Sequence, residues 1–84
     1  MERFTIEFSK RAVKEYQKLP NNYKTLVDAS LANLSKGIST DLQPLKGEKD
    51  VYRIRVGRYR ILLKKIQKTL LIAKIGPRGD FYKN

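Results

Sequence analysis

The stretch that decides the fold runs from Val51 to Ile75 and has the sequence VYRIRVGRYRILLKKIQKTLLIAKI. β-Branched, aromatic and other apolar residues dominate it, and polar breaks divide it at Gly57-Arg58 and at Lys68. Runs of this kind, bounded by turn residues, are typical of strands joined in hairpins. The stretch therefore predicts three strands, over residues 51–56, 59–66 and 69–75.

The N-terminal part of the chain predicts one strand followed by two helices. Phe4, Ile6 and Phe8 alternate with other residues, which is typical of a half-buried strand. Helical spacing then begins after Ser9, a residue type that caps helix N-termini, and Pro20 ends it. The second helix is predicted to start after a cap formed by Asn21 or Asn22 and to end at Gly37.

Residues 38–50 contain Pro44 and Gly47 and have no clear period, so we expect a connecting loop there. The predicted order is β-α-α-β-β-β in a single domain over residues 1–84. Two helices joined by a short connection form an antiparallel pair. The fold class is therefore α+β, with a helical hairpin packed on one face of a largely antiparallel four-stranded sheet.

Composition excludes several kinds of chemistry. The 84 residues include no His and no Cys, so imidazole and thiolate catalysis are both excluded. The formal net charge is +11, and residues 43–84 carry 12 basic and 3 acidic side chains. Such an excess favours a polyanionic partner. No apolar run is long enough to span a membrane, and the N-terminus lacks the apolar core of a secretory signal, so we expect a cytoplasmic protein.

Two-residue alternation separates the side chains of the strand over residues 51–56. Tyr52, Ile54 and Val56 point one way, towards the helices, and Arg53 and Arg55 point to the opposite side of the sheet, about 7 Å apart. Hairpin pairing can bring a third guanidinium to the same side, and a fourth lies just past the third strand; these are Arg60 and Arg78.

Such arginines can form either a solvated face or an anion site. Arg is used at all of these positions although the chain holds 12 Lys and 7 Arg. The guanidinium fork matches phosphate oxygens, whereas the ammonium group of Lys acts as a point charge. Opposed like charges also destabilise a hairpin, which favours a site for an anionic ligand. Tyr82, four residues after Arg78, is a further candidate for a functional residue. The other tyrosines considered are expected to pack in the core, namely Tyr16, Tyr23 and Tyr52.

The chain resembles the RelE/ParE toxin superfamily. The resemblance rests on Leu45-Lys46-Gly47, on the run from Tyr52 to Arg60, and on the run from Ile75 to Tyr82, which ends in Gly-x-Arg-x-x-x-Tyr. The run from Phe8 to Leu19 resembles the first helix of the family. Several relatives have Lys at the positions of Arg53 or Arg55, and many have a basic residue or His at that of Pro77.

The resemblance implies site residues for RNA cleavage without a metal or other cofactor. The catalytic positions fall on Arg53, Arg55, Arg60, Arg78 and Tyr82. Three further basic residues are candidates to contact the RNA backbone, namely Lys46, Arg58 and Lys83.

The resemblance also implies a function, that of the toxin of a type II toxin–antitoxin pair. RelE-like members enter the ribosomal A site and cleave mRNA there, and a cognate antitoxin neutralises them. The implied partners are therefore the ribosome, mRNA and an acidic RelB-like antitoxin.

Three other functions remain open at this point. A ParE-like toxin would have the same fold and would inhibit DNA gyrase by binding, without cleaving RNA. A metal-dependent nuclease would need clustered carboxylates, yet the second half offers only Glu48, Asp50 and Asp80, on separate loops. A basic module that binds RNA without chemistry would show salt-dependent binding and no cleavage.

Overall fold

The computed structural model describes residues 3–38 and 42–77, which form two helices and one five-stranded sheet. The elements in chain order are β1 (Thr5–Phe8), α1 (Lys10–Gln17), α2 (Asn21–Ser35), β2 (Leu42–Pro44), β3 (Val51–Val56), β4 (Tyr59–Ile66) and β5 (Thr69–Pro77).

The strand order in the sheet is β1-β5-β4-β3-β2. β1 pairs with β5 in parallel, and the other three pairings are antiparallel. The predicted α+β class and the β3–β4–β5 meander are confirmed, and β5 lies inside the sheet between β1 and β4. β5 is two residues longer than predicted, because Gly76 and Pro77 still pair with β4.

The predicted number of four strands is wrong, because part of the expected loop over residues 38–50 forms a fifth. β2 is only three residues long and contains Pro44. It lies at the edge of the sheet and pairs with residues 52–54 of β3. A strand with every residue exposed has no apolar alternation, so its pattern cannot be recognised before its partner is known.

The helix ends follow two different rules. The Oγ of Ser9 accepts a hydrogen bond from the Ala12 N–H at 3.0 Å, which confirms the predicted cap of α1. The prediction that Asn21 or Asn22 caps α2 is wrong, because Pro20 occupies the N-cap position and makes no side-chain cap. Proline suits a helix start since its φ is fixed and it has no N–H to satisfy. At the other end, Gly37 follows the last turn of α2 as predicted.

Both helices contribute to one core with the sheet. The buried apolar residues are Ala12, Leu19, Val27, Leu31, Leu34, Ile54, Val56, Ile61, Leu63, Leu70, Ile72 and Ile75. Tyr16, Tyr23 and Tyr52 pack against this cluster and are partly buried, as predicted. The helices therefore cover one face of the sheet, and the alternate residues of β3 and β4 lie on its other face.

The β3–β4 turn is held against α2 by aromatic packing. Gly57 has a positive φ of 57°. A Cβ added there would lie 2.8 Å from Cε1 of Tyr23. The Tyr23 ring also packs edge-on against Tyr59, with ring centroids 4.6 Å apart. The first turn of α2 therefore fixes the position of the hairpin turn.

We expect Gly57→Ala to destabilise the protein more than Gly47→Ala. Both glycines have positive φ, so each alanine meets the left-handed backbone penalty of about 1–2 kcal/mol. At Gly57 the new methyl group also meets the Tyr23 ring, whereas at Gly47 no described atom lies within 4 Å of it. Denaturant unfolding of the two variants measures the difference. Equal losses of unfolding free energy would contradict the contact with Tyr23.

Candidate nucleic-acid interface

The β3–β4 register brings arginines from two strands together. Arg55 and Arg60 are directly paired across the hairpin, and Arg53 is paired with Leu62. Paired residues of antiparallel strands point to the same face, and residues two apart on one strand do so as well. Ile54 and Ile61, which are neighbours of these arginines along β3 and β4, are buried in the core. The three arginines therefore lie on the face opposite the helices. We call this side of the sheet the arginine face.

The three guanidinium groups differ in exposure. Arg55 is exposed, Arg53 is half-buried, and Arg60 is buried, with 8 % of its surface accessible. Hairpin pairing predicts the face that Arg60 occupies, but it does not predict this burial. Arg60 lies on a central strand, between Arg55 of β3 and Gly76 of β5. All three residues make contacts within the chain. The arginine face therefore combines a buried cation with a more accessible one beside it.

Two predicted RNA contacts lie at the borders of this face. Lys46 and Arg53 line one surface depression, together with Pro44, Leu45 and Glu48. Arg58 is exposed in the β3–β4 turn, next to the hairpin end that carries the Arg55–Arg60 pair. The structure therefore places Lys46 beside one end of the arginine series and Arg58 beside the other.

Lys74 is a basic residue of the arginine face that sequence reasoning missed. It lies on β5 opposite Leu62, and Gly76, two residues further on, lies opposite Arg60. Lys74 is half-buried and, like the arginines, takes part in contacts within the chain. The only signal in the sequence was a single charged residue in an otherwise apolar strand.

Arg78, Tyr82 and Lys83 lie outside the described residues, so their assignment stays a prediction. Among the described tyrosines, Tyr16 is unsuited to act as a base. Its hydroxyl donates a hydrogen bond to Oδ1 of Asp28 at 2.7 Å, and this bond raises the pKa of Tyr16 above its ordinary value. Tyr16 also packs on Phe8 at the helical face of the sheet, away from the arginines.

Candidate metal-binding groups and membrane-spanning helices are both absent from residues 3–38 and 42–77. Their Asp and Glu side chains nowhere form a group of three that could hold a metal ion. Neither helix in these ranges is long and apolar enough to cross a lipid bilayer.

The sequence and the fold are both similar to those of known toxins. The family model of the ParE toxin of type II toxin–antitoxin systems, parDE, matches residues 6–82. The curated protein RelE1 of Methanocaldococcus jannaschii is 31% identical, with 98% of each chain covered.

Solved structures of toxin–antitoxin complexes are similar to this chain as well. RelE in the archaeal RelE–RelB complex from Pyrococcus horikoshii is 27% identical, with a TM-score of 0.71 over 92% of this chain and 97% of that one. The E. coli RelBE toxin–antitoxin complex, at 22% identity, matches the fold with a TM-score of 0.79 over 90% of this chain and 98% of that one. Since the family model covers nearly the whole sequence and a RelE protein is similar along its full length, this chain belongs to the RelE/ParE superfamily as a RelE-like toxin of the type II toxin–antitoxin class.

Proposed function

We propose that this toxin is a ribosome-dependent, metal-independent endoribonuclease that cleaves mRNA in the A site and so inhibits translation. The observation that carries the proposal is the direct pairing of Arg55 with Arg60 on the arginine face. Two guanidinium groups on neighbouring strands concentrate positive charge and forked N–H donors at one place, which suits a phosphate group. Arg53, two residues along β3, extends the same anion site.

Cleavage proceeds by attack of the ribose 2′-OH on the adjacent phosphorus. The O–P bond that forms closes a 2′,3′-cyclic phosphate, and the bond that breaks releases the 5′-oxygen of the next nucleotide. A base takes the 2′-OH proton, and an acid or a cation stabilises the leaving 5′-oxygen. This oxygen gains a proton from the acid or from water and becomes a 5′-OH. The crowded phosphorane carries extra negative charge, which Arg53, Arg55 and Arg60 stabilise. This chemistry needs no bound cofactor.

Tyr82 is the proposed base and Arg78 the proposed partner of the leaving oxygen. Neighbouring cations favour the ionised form of a phenol, so a position beside guanidinium groups suits a tyrosine base. A guanidinium group is a poor proton donor in water, and Arg78 acts by holding the developing charge or by donating a proton. Weak acid–base groups make a slow enzyme, and the ribosome contributes by fixing the mRNA in an attack geometry.

The proposed regulator is an acidic antitoxin. The excess of basic residues favours a partner of opposite charge, bound as an amphipathic helix or extended segment that wraps the toxin. The relative from Pyrococcus horikoshii is found in a RelE–RelB complex, which supports an antitoxin of the RelB type. Since translating ribosomes are the target, the proposed site of action is the cytoplasm.

Inhibition of gyrase without RNA cleavage is not favoured. The matching family model carries the ParE name, but RelE1 and toxin RelE3 of Methanocaldococcus jannaschii, which are similar over nearly the full chain, carry the RelE name. Conservation of fold alone does not separate the two activities. The arginine face favours RNA cleavage, because a cluster of guanidinium groups suits a phosphate that gains charge during the reaction.

Primer extension on a defined message tests the proposal. The purified toxin is added to translation complexes with a chosen codon in the A site, and to the same message without ribosomes. We expect new stops within the A-site codon only on the ribosome-loaded message. Stops on both messages would contradict ribosome dependence. Binding to ribosomes without any stop would identify a passive RNA-binding module.

A further inference from the structure

β5 extends well beyond its neighbour on one edge. β1 pairs with residues 69–72 only, and β5 continues to Pro77. Backbone groups on that edge would lack strand partners from Ala73 onwards. Backbone N–H and C=O groups removed from water without a partner are costly, so the fold needs another source of hydrogen bonds there.

The side chains of Ser9, the N-cap of α1, and of Glu15, within α1, supply these bonds. The Oγ of Ser9, which already caps α1, donates to the carbonyl oxygen of Ala73 at 2.9 Å. Oε1 of Glu15 accepts from the N–H of Ile75 at 2.7 Å. Pro77, the next residue in the same alternation, has no N–H to satisfy. Ser9 and Glu15 therefore continue the edge of the sheet where β1 ends.

The Glu15 carboxylate is itself held in place. Its Oε2 accepts from Nε of Arg11 at 3.0 Å, and 26% of its side-chain surface is accessible. Both oxygens are thus engaged, one by a guanidinium and one by the β5 backbone. Hydrogen bonds to an ionised group are shorter and stronger than those between neutral groups.

The backbone that Glu15 holds lies directly beside the arginine face. Ile75 separates Lys74 from Gly76, and Gly76 is paired with Arg60. In the sequence, the same strand leads through Pro77 to Arg78. A shift of this half of β5 would therefore move Lys74 and Gly76 relative to Arg60.

We propose that Glu15 is a positioning residue for the ribonuclease reaction, acting through its hydrogen bond to the Ile75 N–H. The inference rests on the proposed function, since it names a residue that supports the same site. Glu15 is not expected to touch RNA. It keeps the end of β5 in register with Arg60, and through this strand it sets the geometry in which the phosphate is held.

Four variants test the role of Glu15 in single-turnover cleavage on ribosomes. A displacement of about 1 Å can lower a rate by about 100-fold, so Glu15→Ala is expected to slow cleavage by about 10- to 100-fold. Glu15→Asp draws the carboxylate back from Ile75 and should slow cleavage as well. Glu15→Gln keeps an acceptor oxygen at the same position and should stay within about fivefold of the wild type. Arg11→Ala is the matched control, because it removes the ion pair and leaves the bond to Ile75.

Two further measurements separate positioning from general stability. The affinity for ribosomes should change by less than about threefold in all four variants, since Arg53, Arg55 and Arg60 of the arginine face remain present. Amide hydrogen exchange at Ile75 should accelerate in Glu15→Ala and Glu15→Asp, and stay slow in Glu15→Gln and Arg11→Ala.

The outcomes distinguish this inference from the proposed function. A wild-type protein that cleaves no ribosome-bound message would overturn both. Normal cleavage by Glu15→Ala and Glu15→Asp, with an active wild type, would overturn only the role of Glu15. Failure of Glu15→Gln to restore cleavage would also overturn it, because the role requires only an acceptor at that position. If Glu15→Ala does not fold, the Asp and Gln variants decide.

Discussion

Replacing Arg60 by Ala is expected to abolish growth arrest when the toxin is expressed in cells. Loss of one donor that stabilises a developing charge lowers the rate of an enzyme by about 100- to 1,000-fold, or about 3–4 kcal/mol. Arg60 is buried on β4 and paired with Arg55, so its replacement by Ala removes one of the two guanidinium groups of this pair. Colony counts after induction, followed by single-turnover cleavage on ribosomes, measure the effect.

Because Arg60 is buried, its replacement also needs controls for folding. Arg55→Ala removes the exposed partner of the same pair and should slow cleavage with little effect on the unfolding free energy. Lys36→Ala removes an exposed cation at the end of α2, away from the arginine face, and should remain fully toxic. Arg78→Ala should lose toxicity as Arg60→Ala does. Full toxicity of both Arg60→Ala and Arg78→Ala would refute the assigned site.

Tyr82→Phe is expected to reduce cleavage far more than ribosome binding. The substitution removes only the hydroxyl group, and a positioned base contributes about 100- to 10,000-fold to a rate. The ring is kept, so the affinity for the ribosome should change by less than about threefold. The cleavage rate at saturating ribosome and the dissociation constant are measured in parallel.

A matched variant separates the specific effect of removing the Tyr82 hydroxyl from the general effect of removing any tyrosine hydroxyl. Tyr52→Phe removes a hydroxyl from a half-buried tyrosine that packs on the core, and its cleavage rate should stay near that of the wild type. Equal losses of cleavage and binding in Tyr82→Phe would mean that the hydroxyl positions RNA and does not accept the proton.

The β3–β4 hairpin could be predicted because its signals are local. Apolar alternation in β3 and β4 and the turn at Gly57-Arg58 define the hairpin, and hairpin pairing then fixes its register. β2 could not be predicted in the same way. It is a short, exposed edge strand, and it forms only because β3 offers unpaired backbone groups beside it.

The candidate site shows the same division between local and distant signals. Arg53 and Arg55 share a face because side chains alternate along a strand, and Arg60 joins them through the hairpin. Lys74 enters the face only through the β4–β5 register, which shifts between Leu62 and Leu63. The bond from Ile75 to Glu15 joins residues 60 positions apart, so no pattern along the chain indicates it.

The burial of Arg60 is the property of the site that is hardest to predict from the sequence. Hairpin pairing places it on the face away from the helices, where exposure is the ordinary expectation for a charged side chain. Its burial follows from a position on the central strand, with Arg55 on one side and β5 on the other. This environment depends on three strands at once, and the sequence of β4 alone cannot define it.

The most direct test of the central claim is the chemistry of the RNA ends that the toxin leaves. Message cut in the A site of purified ribosomes is recovered, and both new ends are identified by mass spectrometry. Attack by the 2′-OH under the control of the arginine face predicts a 2′,3′-cyclic phosphate on one fragment and a 5′-OH on the other. It also predicts that a 2′-deoxy nucleotide at the cleaved position blocks the reaction. A 3′-OH with a 5′-phosphate, or cleavage of the 2′-deoxy message, would contradict the account.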